Sequence, residues 1–109
     1  MKRGDIAIAT LSGDYGKTRP VVIVQNNRLA QMRDSVLVCP CTSDLHDAPL
    51  FRIDVPADQG TGLGRDSQIM VDKVMAIPRK RLRDQIGRLS GTTLSDVNRA
   101  LAFVLALND

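Results

Sequence analysis

The sequence predicts a mainly β fold, a small and strongly bent antiparallel barrel or sandwich covered by one C-terminal amphipathic helix. Short apolar or alternating runs separated by turn residues recur along most of the chain, which is typical of antiparallel barrels and sandwiches. Only the last segment shows helical spacing, with apolar residues three and four positions apart. A chain of 109 residues supports one core, so residues 1–109 are expected to form a single domain.

Four strands are predicted in the first half of the chain, at 5–11, 20–25, 35–41 and 50–55. The first alternates polar and apolar residues, which indicates a half-buried strand. The second is almost continuously apolar, as expected for a strand buried on both faces. A loop at 12–16 with two glycines turns the first strand back, and one helical turn is expected at 28–32.

The second half begins with a loop at 56–65 that contains three glycines. A strand pattern follows at 68–77 and ends at Pro78, then a helical turn at 79–82 and a last strand at 84–89. The final helix is expected to begin with Thr92 or Thr93 as N-cap and to carry Asp96 in its first turn. Its apolar stripe, which should pack on the sheet, consists of Leu94, Val97, Leu101, Val104 and Leu105.

The charge of the chain is compatible with a polyanionic partner. Fifteen lysines and arginines exceed twelve acidic residues, and several of the basic residues crowd positions 79–83. Tyr15, Phe51 and Phe103 are the only aromatic residues, which argues against an aromatic platform for stacking bases. No apolar run is long enough to cross a bilayer and no secretion signal is visible, so no membrane role and a cytoplasmic location are expected.

The two cysteines predict neither a disulfide nor a metal site. Cys39 and Cys41 are two residues apart on a predicted strand, so their side chains point to the same face. One histidine and one Cys-x-Cys pair fall short of a zinc-ligand set, and no cofactor motif is present. The cysteines are therefore interpreted as small apolar residues of a strand end.

Two side chains are candidates for catalysis because rigid turns hold them at strand ends. Arg19 precedes Pro20, which favours an extended backbone and a defined direction for the guanidinium. Thr42 follows Cys39-Pro40-Cys41 at the end of another apolar run. From the residues alone, Arg19 is more often a solvated turn residue, and the Thr42 hydroxyl often satisfies local backbone groups.

Five segments in order resemble the MazF/PemK family of toxin endoribonucleases from toxin–antitoxin modules. They span nearly the whole chain and read RGDI, RPVVIVQN, PCTS, VDKVMAIPRKRL and IGRLS, followed by the amphipathic helix. The resemblance implies an SH3-like barrel, related to that of the CcdB toxins, which pairs as a homodimer. It also implies metal-independent cleavage of single-stranded RNA and neutralisation by a cognate antitoxin. In the family, the residues that match Arg19 and Thr42 serve the cleavage chemistry.

Substrate-binding roles are predicted for five further residues, Ser43, Asp72, Lys73, Arg79 and Arg81. Relatives often carry glutamine at the position of Lys73, in a strand near the substrate groove, and lysine exchanges a base-reading amide for a phosphate-seeking charge. Gly4 and Asp5 are expected to shape the start of the first strand. His46 is interpreted as a solvated loop residue because the family pattern places no catalytic histidine there.

Two other functions compete with RNA cleavage. The first is a non-enzymatic toxin of the CcdB type that binds DNA gyrase, and the second is a basic nucleic-acid-binding module without turnover. Neither needs an Arg-Pro pair at the second strand together with a threonine at the end of the third. Arg19 and Thr42 therefore favour the nuclease.

Overall fold

A computed structural model describes residues 1–11, 17–29 and 34–109 of the chain. The predicted loop at 12–16 and the end of the helical turn predicted at 28–32 lie outside these residues, and a 3-10 turn is present at Asn27–Leu29. Within the described residues the regular elements are seven strands and one α-helix: β1 (Asp5–Thr10), β2 (Thr18–Ile23), β3 (Ser35–Thr42), β4 (Arg52–Val55), β5 (Ser67–Met70), β6 (Met75–Pro78), β7 (Leu82–Arg88) and α1 (Gly91–Val104).

All strand pairings are antiparallel, in the order β4-β5-β3-β2-β1-β7. β3 is central to this arrangement, because its first half pairs with β6 and its last two residues pair with β5. The mainly antiparallel fold with one C-terminal helix confirms the predicted fold class. Within the described residues the pairings form an open path, and no pairing of β4 with β7 closes them into a ring.

The central strands bury side chains on both faces. One cluster, which α1 covers, includes Ile6, Val22, Cys39 and the fully buried Val97. The other cluster lies on the opposite face and includes Ala7, Val21, Val38 and Ile77. Alternate residues of β2 therefore enter different clusters, which confirms the prediction of a strand buried on both faces.

The start of β1 is shaped by Gly4 and Asp5, as expected. Gly4 has a φ of +92°, which favours glycine, and its N–H donates to the Ile23 carbonyl at 2.8 Å. Asp5 is almost fully buried, and its two carboxylate oxygens accept from the Lys2 N–H at 2.6 Å and from Arg88 Nε at 3.1 Å. Because a buried carboxylate is costly unless paired, these bonds fix the entry of the chain into the sheet.

The strand predicted at 68–77 is wrong as a single element. β5 ends at Met70, the chain forms a 3-10 turn at Val71–Lys73, and β6 starts at Met75. Val71 is fully buried in the cluster under α1, and its N–H donates to the Phe51 carbonyl at 3.0 Å. Because Val71 is held in this way, β5 pairs with the C-terminal end of β3 and β6 pairs with the N-terminal half of the same strand. The helical turn predicted next is confirmed at Arg79–Arg81.

The predicted N-cap is wrong. Ser90 caps the helix instead of Thr92 or Thr93, so the helix begins two or three residues earlier than predicted. Ser90 Oγ accepts from the Thr93 N–H at 3.1 Å. Asp96 consequently lies beyond the first turn. The stripe packs on the core as predicted except for Leu105, which follows the last turn and is 53% exposed. No helix in the described part of the chain has the length and apolarity needed to span a membrane.

Candidate functional site

A cavity of about 320 Å³ lies where β2 begins and β3 ends. Three of the residues predicted from the sequence, Arg19, Thr42 and Ser43, line it together. The described residues around the cavity contribute three cationic side chains and no carboxylate. The full lining consists of Lys17, Thr18, Arg19, Pro20, Cys41, Thr42, Ser43, Leu63, Gly64, Arg65 and Ser67.

The pairing of β2 with β3 brings Arg19 and Thr42 together. The register of β2 and β3 ends at Val21 with Pro40, and Arg19 and Thr42 each lie two residues beyond this last pair on their own strand. Both residues line the cavity. Both residues are half-buried. The arrangement presents a planar, permanently charged hydrogen-bond donor beside a hydroxyl group.

The hydroxyl of Thr42 has one defined partner. Its Oγ1 accepts a hydrogen bond from the Asp44 N–H at 3.0 Å. A hydroxyl group has two acceptor lone pairs and one proton, so the proton remains available for donation to a bound group. Thr42 therefore makes the local backbone hydrogen bond that is common for threonine in such turns, and this bond still leaves the hydroxyl proton available for donation.

A buried amide holds the segment that follows Thr42. Gln68 pairs with Thr42 in the β3–β5 register and is 6% exposed. Its Oε1 accepts from the His46 N–H at 2.9 Å and from Arg52 Nη1 at 3.2 Å. Its Nε2 donates to the His46 carbonyl at 2.9 Å and to Asp54 Oδ1 at 3.0 Å. The backbone from Thr42 to His46 is thus fixed at both ends.

His46 itself is an exposed loop residue, as expected. Its Nε2 lies 3.1 Å from Asp44 Oδ2, and it does not line the cavity. In the described part of the chain, no group of three or more histidine, cysteine, aspartate or glutamate side chains is placed to hold a metal ion.

The two thiols are free, buried and unreactive at neutral pH. Burial raises the pKa of both Cys39 and Cys41 to about 12 from an ordinary value of 9.0, because the thiolate would lose its hydration. For Cys39, the positive charge of Arg3 opposes this rise in pKa, and the negative charge of Asp72 contributes to it. Cys41 lines the cavity, yet a thiol that keeps its proton is neither a nucleophile nor a base. The predicted structural role of the cysteines agrees with this environment.

The remaining predicted site residues lie outside the cavity. Asp72 and Lys73 are exposed and occupy the 3-10 turn instead of the expected strand. Arg79 lies beside the N-terminal end of β3, where its N–H donates to the Asp34 carbonyl at 2.7 Å. Thr42 is the last residue of this eight-residue strand, and at about 3.3 Å per residue the two ends of the strand lie roughly 23 Å apart. Substrate binding by Asp72, Lys73, Arg79 and Arg81 stays a prediction.

Four polar cavity residues were not predicted from the sequence: Lys17, Thr18, Arg65 and Ser67. Lys17 and Thr18 directly precede Arg19 in the chain, and that proximity was an available signal. Arg65 and Ser67 are more than forty positions further along. The pairing of β5 with the end of β3 and the contacts of the loop before β5 bring them to the cavity, and no local pattern predicts these long-range contacts.

The chain matches known proteins over nearly its full length. Residues 2–105 match the family model of PemK-like, MazF-like toxins of type II toxin–antitoxin systems. The probable endoribonuclease MazF of Mycolicibacterium smegmatis is 43% identical over 108 residues, 98% of each chain. The endoribonuclease EndoA of Bacillus subtilis is 32% identical over 114 aligned positions, which cover 100% of this chain and 97% of the relative.

Solved structures show the same architecture. The toxin MazF-mt6 of Mycobacterium tuberculosis superposes with a TM-score of 0.81 at 26% identity, over 94% of this chain and 96% of its own. An endoribonuclease in complex with its cognate antitoxin from a mycobacterial species superposes with a TM-score of 0.82 at 22% identity, over 98% and 96%.

Proposed function

The chain belongs to the PemK-like, MazF-like toxins of type II toxin–antitoxin systems, and we propose that it arrests growth by cutting single-stranded RNA, mRNA above all, at selected sequences. It is an endoribonuclease toxin. The observation that carries the proposed mechanism is that Arg19 and Thr42 line the same cationic cavity. Gyrase binding, the alternative function of a related fold, is not favoured by any of these relatives.

The proposed reaction is an internal transfer of the phosphoryl group. The ribose 2′-oxygen attacks the adjacent phosphorus and loses its proton, the bond from phosphorus to the 5′-oxygen breaks, and the leaving oxygen takes up a proton. The products are a 2′,3′-cyclic phosphate, which opens to a 3′-phosphate, and a 5′-hydroxyl end. Positioning of the 2′-oxygen and stabilisation of charge on the phosphoryl oxygens supply most of the rate in such chemistry.

Arg19 and Thr42 have complementary roles in this proposal. The guanidinium of Arg19 binds two phosphoryl oxygens at once and neutralises the charge that develops on them. Its high pKa makes it a poor general base, so charge stabilisation comes first and proton transfer second. The Thr42 hydroxyl, which accepts from the Asp44 N–H, donates its proton to the phosphate or orients the ribose. In this proposal the Arg19 guanidinium supplies the charge stabilisation directly, without a metal ion or cofactor.

The proposal includes two protein partners and a location. A cognate antitoxin neutralises the toxin, as in the mycobacterial complex. A homodimer covers part of the apolar surface that the single chain exposes, which includes Leu37 on β3 and Phe103, Leu105 and Leu107 near the C-terminus. The cytoplasm is the proposed location, since the RNA substrate resides there.

The test is cleavage of a long, defined RNA in excess EDTA, with the cut ends mapped chemically. We expect cleavage to continue, with cyclic phosphate or 3′-phosphate ends and 5′-hydroxyl ends. The same sequence as a duplex is the control and should resist, because selective reading requires exposed base edges. Cleavage that stops on chelation and returns with magnesium would overturn the proposed mechanism.

A further inference from the structure

The third cationic side chain of the cavity, Arg65, has no role in the mechanism above. It is exposed and lies in the loop that leads into β5. In the described residues its guanidinium has no hydrogen bond or ion pair, although Asp66 is adjacent in sequence. Asp66 Oδ1 instead accepts from the Ala57 N–H at 2.8 Å. Arg65 therefore presents a full positive charge to the cavity without a neutralising partner among these residues.

The sheet places Arg65 on the opposite side of Thr42 from Arg19. Thr42 ends β3, which lies between β2 and β5 in the strand order. Arg19 belongs to β2, and one residue, Asp66, separates Arg65 from the start of β5. Neighbouring strands are about 4.8 Å apart. An RNA strand that crosses the ends of β2, β3 and β5 therefore meets Arg19, Thr42 and Arg65 in succession.

The loop that carries Arg65 is fixed to β7 by two close backbone approaches. Gly62 has a φ of +69°, and a Cβ atom there would overlap the carbonyl oxygen of Ile86. A Cβ atom at Gly87 would overlap the carbonyl of Thr61. Only glycine permits backbone contacts this close, so the loop and β7 lie against each other without side chains between them.

Hydrogen bonds and core packing complete this support. The buried Thr61 donates through Oγ1 to the Pro56 carbonyl at 2.7 Å, and its N–H donates to Asp58 Oδ1 at 2.8 Å. Leu63 is buried in the cluster under α1. Ser67 Oγ then donates to the Arg65 carbonyl at 2.9 Å. The backbone of Arg65 is thus held before any substrate arrives, which favours a binding role.

We propose that Arg65 binds the phosphate of the nucleotide next to the cut, and that the contacts of Gly62 and Gly87 hold the loop in the position this requires. The inference rests on the proposed RNA cleavage and extends it to a second phosphate. A contact to a phosphate that does not react stabilises the bound substrate and the transition state equally. Loss of Arg65 should therefore raise KM and leave kcat nearly unchanged.

The experiment compares wild type with Arg65→Gln and Arg65→Lys on a short RNA that contains one mapped cut site. Arg99→Gln is the matched control, because it removes the same charge from α1, where Arg99 pairs with Asp96 outside the cavity. Affinity is measured at several salt concentrations with an RNA whose cut site carries 2′-deoxyribose and so lacks the nucleophile. Each phosphate flanking the cut is then replaced in turn by an uncharged methylphosphonate.

We expect Arg65→Gln to raise KM and Kd about tenfold, as for loss of a charged hydrogen bond, with kcat within about twofold. The slope of log Kd against log salt should fall by about 0.7, the value for one phosphate of a single strand. Arg65→Lys should keep that slope. One methylphosphonate next to the cut should weaken binding to wild type and not to Arg65→Gln.

The outcomes separate this inference from the proposed function. If wild type does not cut RNA, the proposed function fails first. If wild type cuts and Arg65→Gln behaves like Arg99→Gln in KM and salt slope, only the role of Arg65 is overturned. A fall in kcat at constant KM would place Arg65 at the reacting phosphate and would also overturn the inference. Thermal unfolding of each variant verifies that the exposed substitution leaves the fold intact.

Discussion

At the scale of single residues, Arg19 is positioned in the cavity by a sequence neighbour and Thr42 by a residue distant in sequence. Arg19 is directed by its neighbour in sequence, because Pro20 restricts the preceding residue to extended backbone. Thr42 depends on distant residues, since Gln68 holds the following loop through two hydrogen bonds to the backbone of His46 and is itself held by Arg52 and Asp54. A substitution of Arg19 or Thr42 that keeps the charge or the volume of the side chain therefore tests chemistry without disturbing these supports.

Arg19→Lys should lose most activity although it keeps the charge, because the ammonium cannot bind two phosphoryl oxygens in a fixed plane. Thr42→Val should lose activity at nearly constant volume, whereas Thr42→Ser, which keeps the hydroxyl, should retain much of it. Loss of one preorganised donor typically costs on the order of a hundredfold in kcat. Single-turnover cleavage with folded protein is the measurement. Wild-type rates for Arg19→Lys and Thr42→Val would show that the site is misassigned.

The buried thiols predict a loss of stability at high pH. Their pKa in the folded chain is about 12, against 9.0 without burial. Between these values the unfolded chain releases thiol protons that the folded chain keeps, so the free energy of unfolding falls as pH rises. The fall approaches about 1.4 kcal/mol per pH unit for each thiol.

Urea unfolding at pH 8 and pH 10 measures this effect, with the double variant Cys39→Ala, Cys41→Ala as control. The two proteins differ only in the two thiols, so the difference between the two pH-dependent losses isolates them. We expect a smaller loss in the double variant. Equal losses would mean that the thiols ionise as readily in the folded chain as in the unfolded chain.

At the scale of elements, substitutions of two glycines in the loop before β5 are expected to differ in their effect on stability. Gly62→Ala forces a side chain into the Ile86 carbonyl at a positive φ and should destabilise the fold by about 3 kcal/mol. Gly64→Ala is the matched control, because a Cβ there meets nothing within 4 Å, and its stability should change by less than about 1 kcal/mol. Thermal unfolding compares the two. Similar effects of both would contradict the close contact between the loop and β7.

Local sequence patterns predicted those elements that contain a run of consecutive buried residues. Apolar runs located β1, β2 and β3 to within two residues, because at least three consecutive residues of each strand enter the core. The turn at Val71–Lys73 was missed because Val71 is as apolar as a strand residue, and only its contact with Phe51 diverts the chain. The N-cap was misplaced because Ser90, Thr92 and Thr93 are all capable of capping.

The candidate site likewise contains residues that local patterns identify and residues that only long-range contacts bring to the cavity. The sequence identified Arg19, Thr42 and Ser43, whose positions follow from the Arg-Pro pair and from the turn that ends β3. Arg65 was missed because its approach depends on backbone contacts between its loop and β7. Composition marks that segment as a loop and carries no information about which wall of the cavity it forms.

At the scale of the whole molecule, positive charge lies at both ends of β3. Lys17, Arg19 and Arg65 surround the cavity at one end. Arg79, Lys80 and Arg81 form a 3-10 turn at the other end, beside Ser35. A disordered acidic antitoxin segment suits this distribution, because such a chain is able to follow a long surface and orders only on contact. The antitoxin is therefore expected to compete with RNA along this line of cations.

Reversal of charge at the far end should slow antitoxin binding. In the double variant Arg79→Glu, Arg81→Glu the association rate should fall and lose part of its salt dependence, because complementary charge mainly accelerates encounter. The double variant Arg28→Glu, Arg99→Glu is the control for charge alone, since it reverses the same number of charges on the 3-10 turn after β2 and on α1, outside both groups. Stopped-flow association at several salt concentrations provides the rates. Equal rates for the double variant and the control would exclude the turn from the antitoxin surface.

Competition itself is tested with the toxin already bound to RNA. Addition of a peptide from the cognate antitoxin should release the RNA and stop cleavage in proportion to peptide occupancy, because both ligands need the cations around Arg19. Arg19→Ala should abolish cleavage yet still bind the peptide, since several other cations and a large surface contribute to that complex. RNA cleavage that continues at saturating peptide would show that the two ligands occupy separate sites. Inhibition would then have to act through a change in the toxin itself, because the peptide would leave the cavity accessible to RNA.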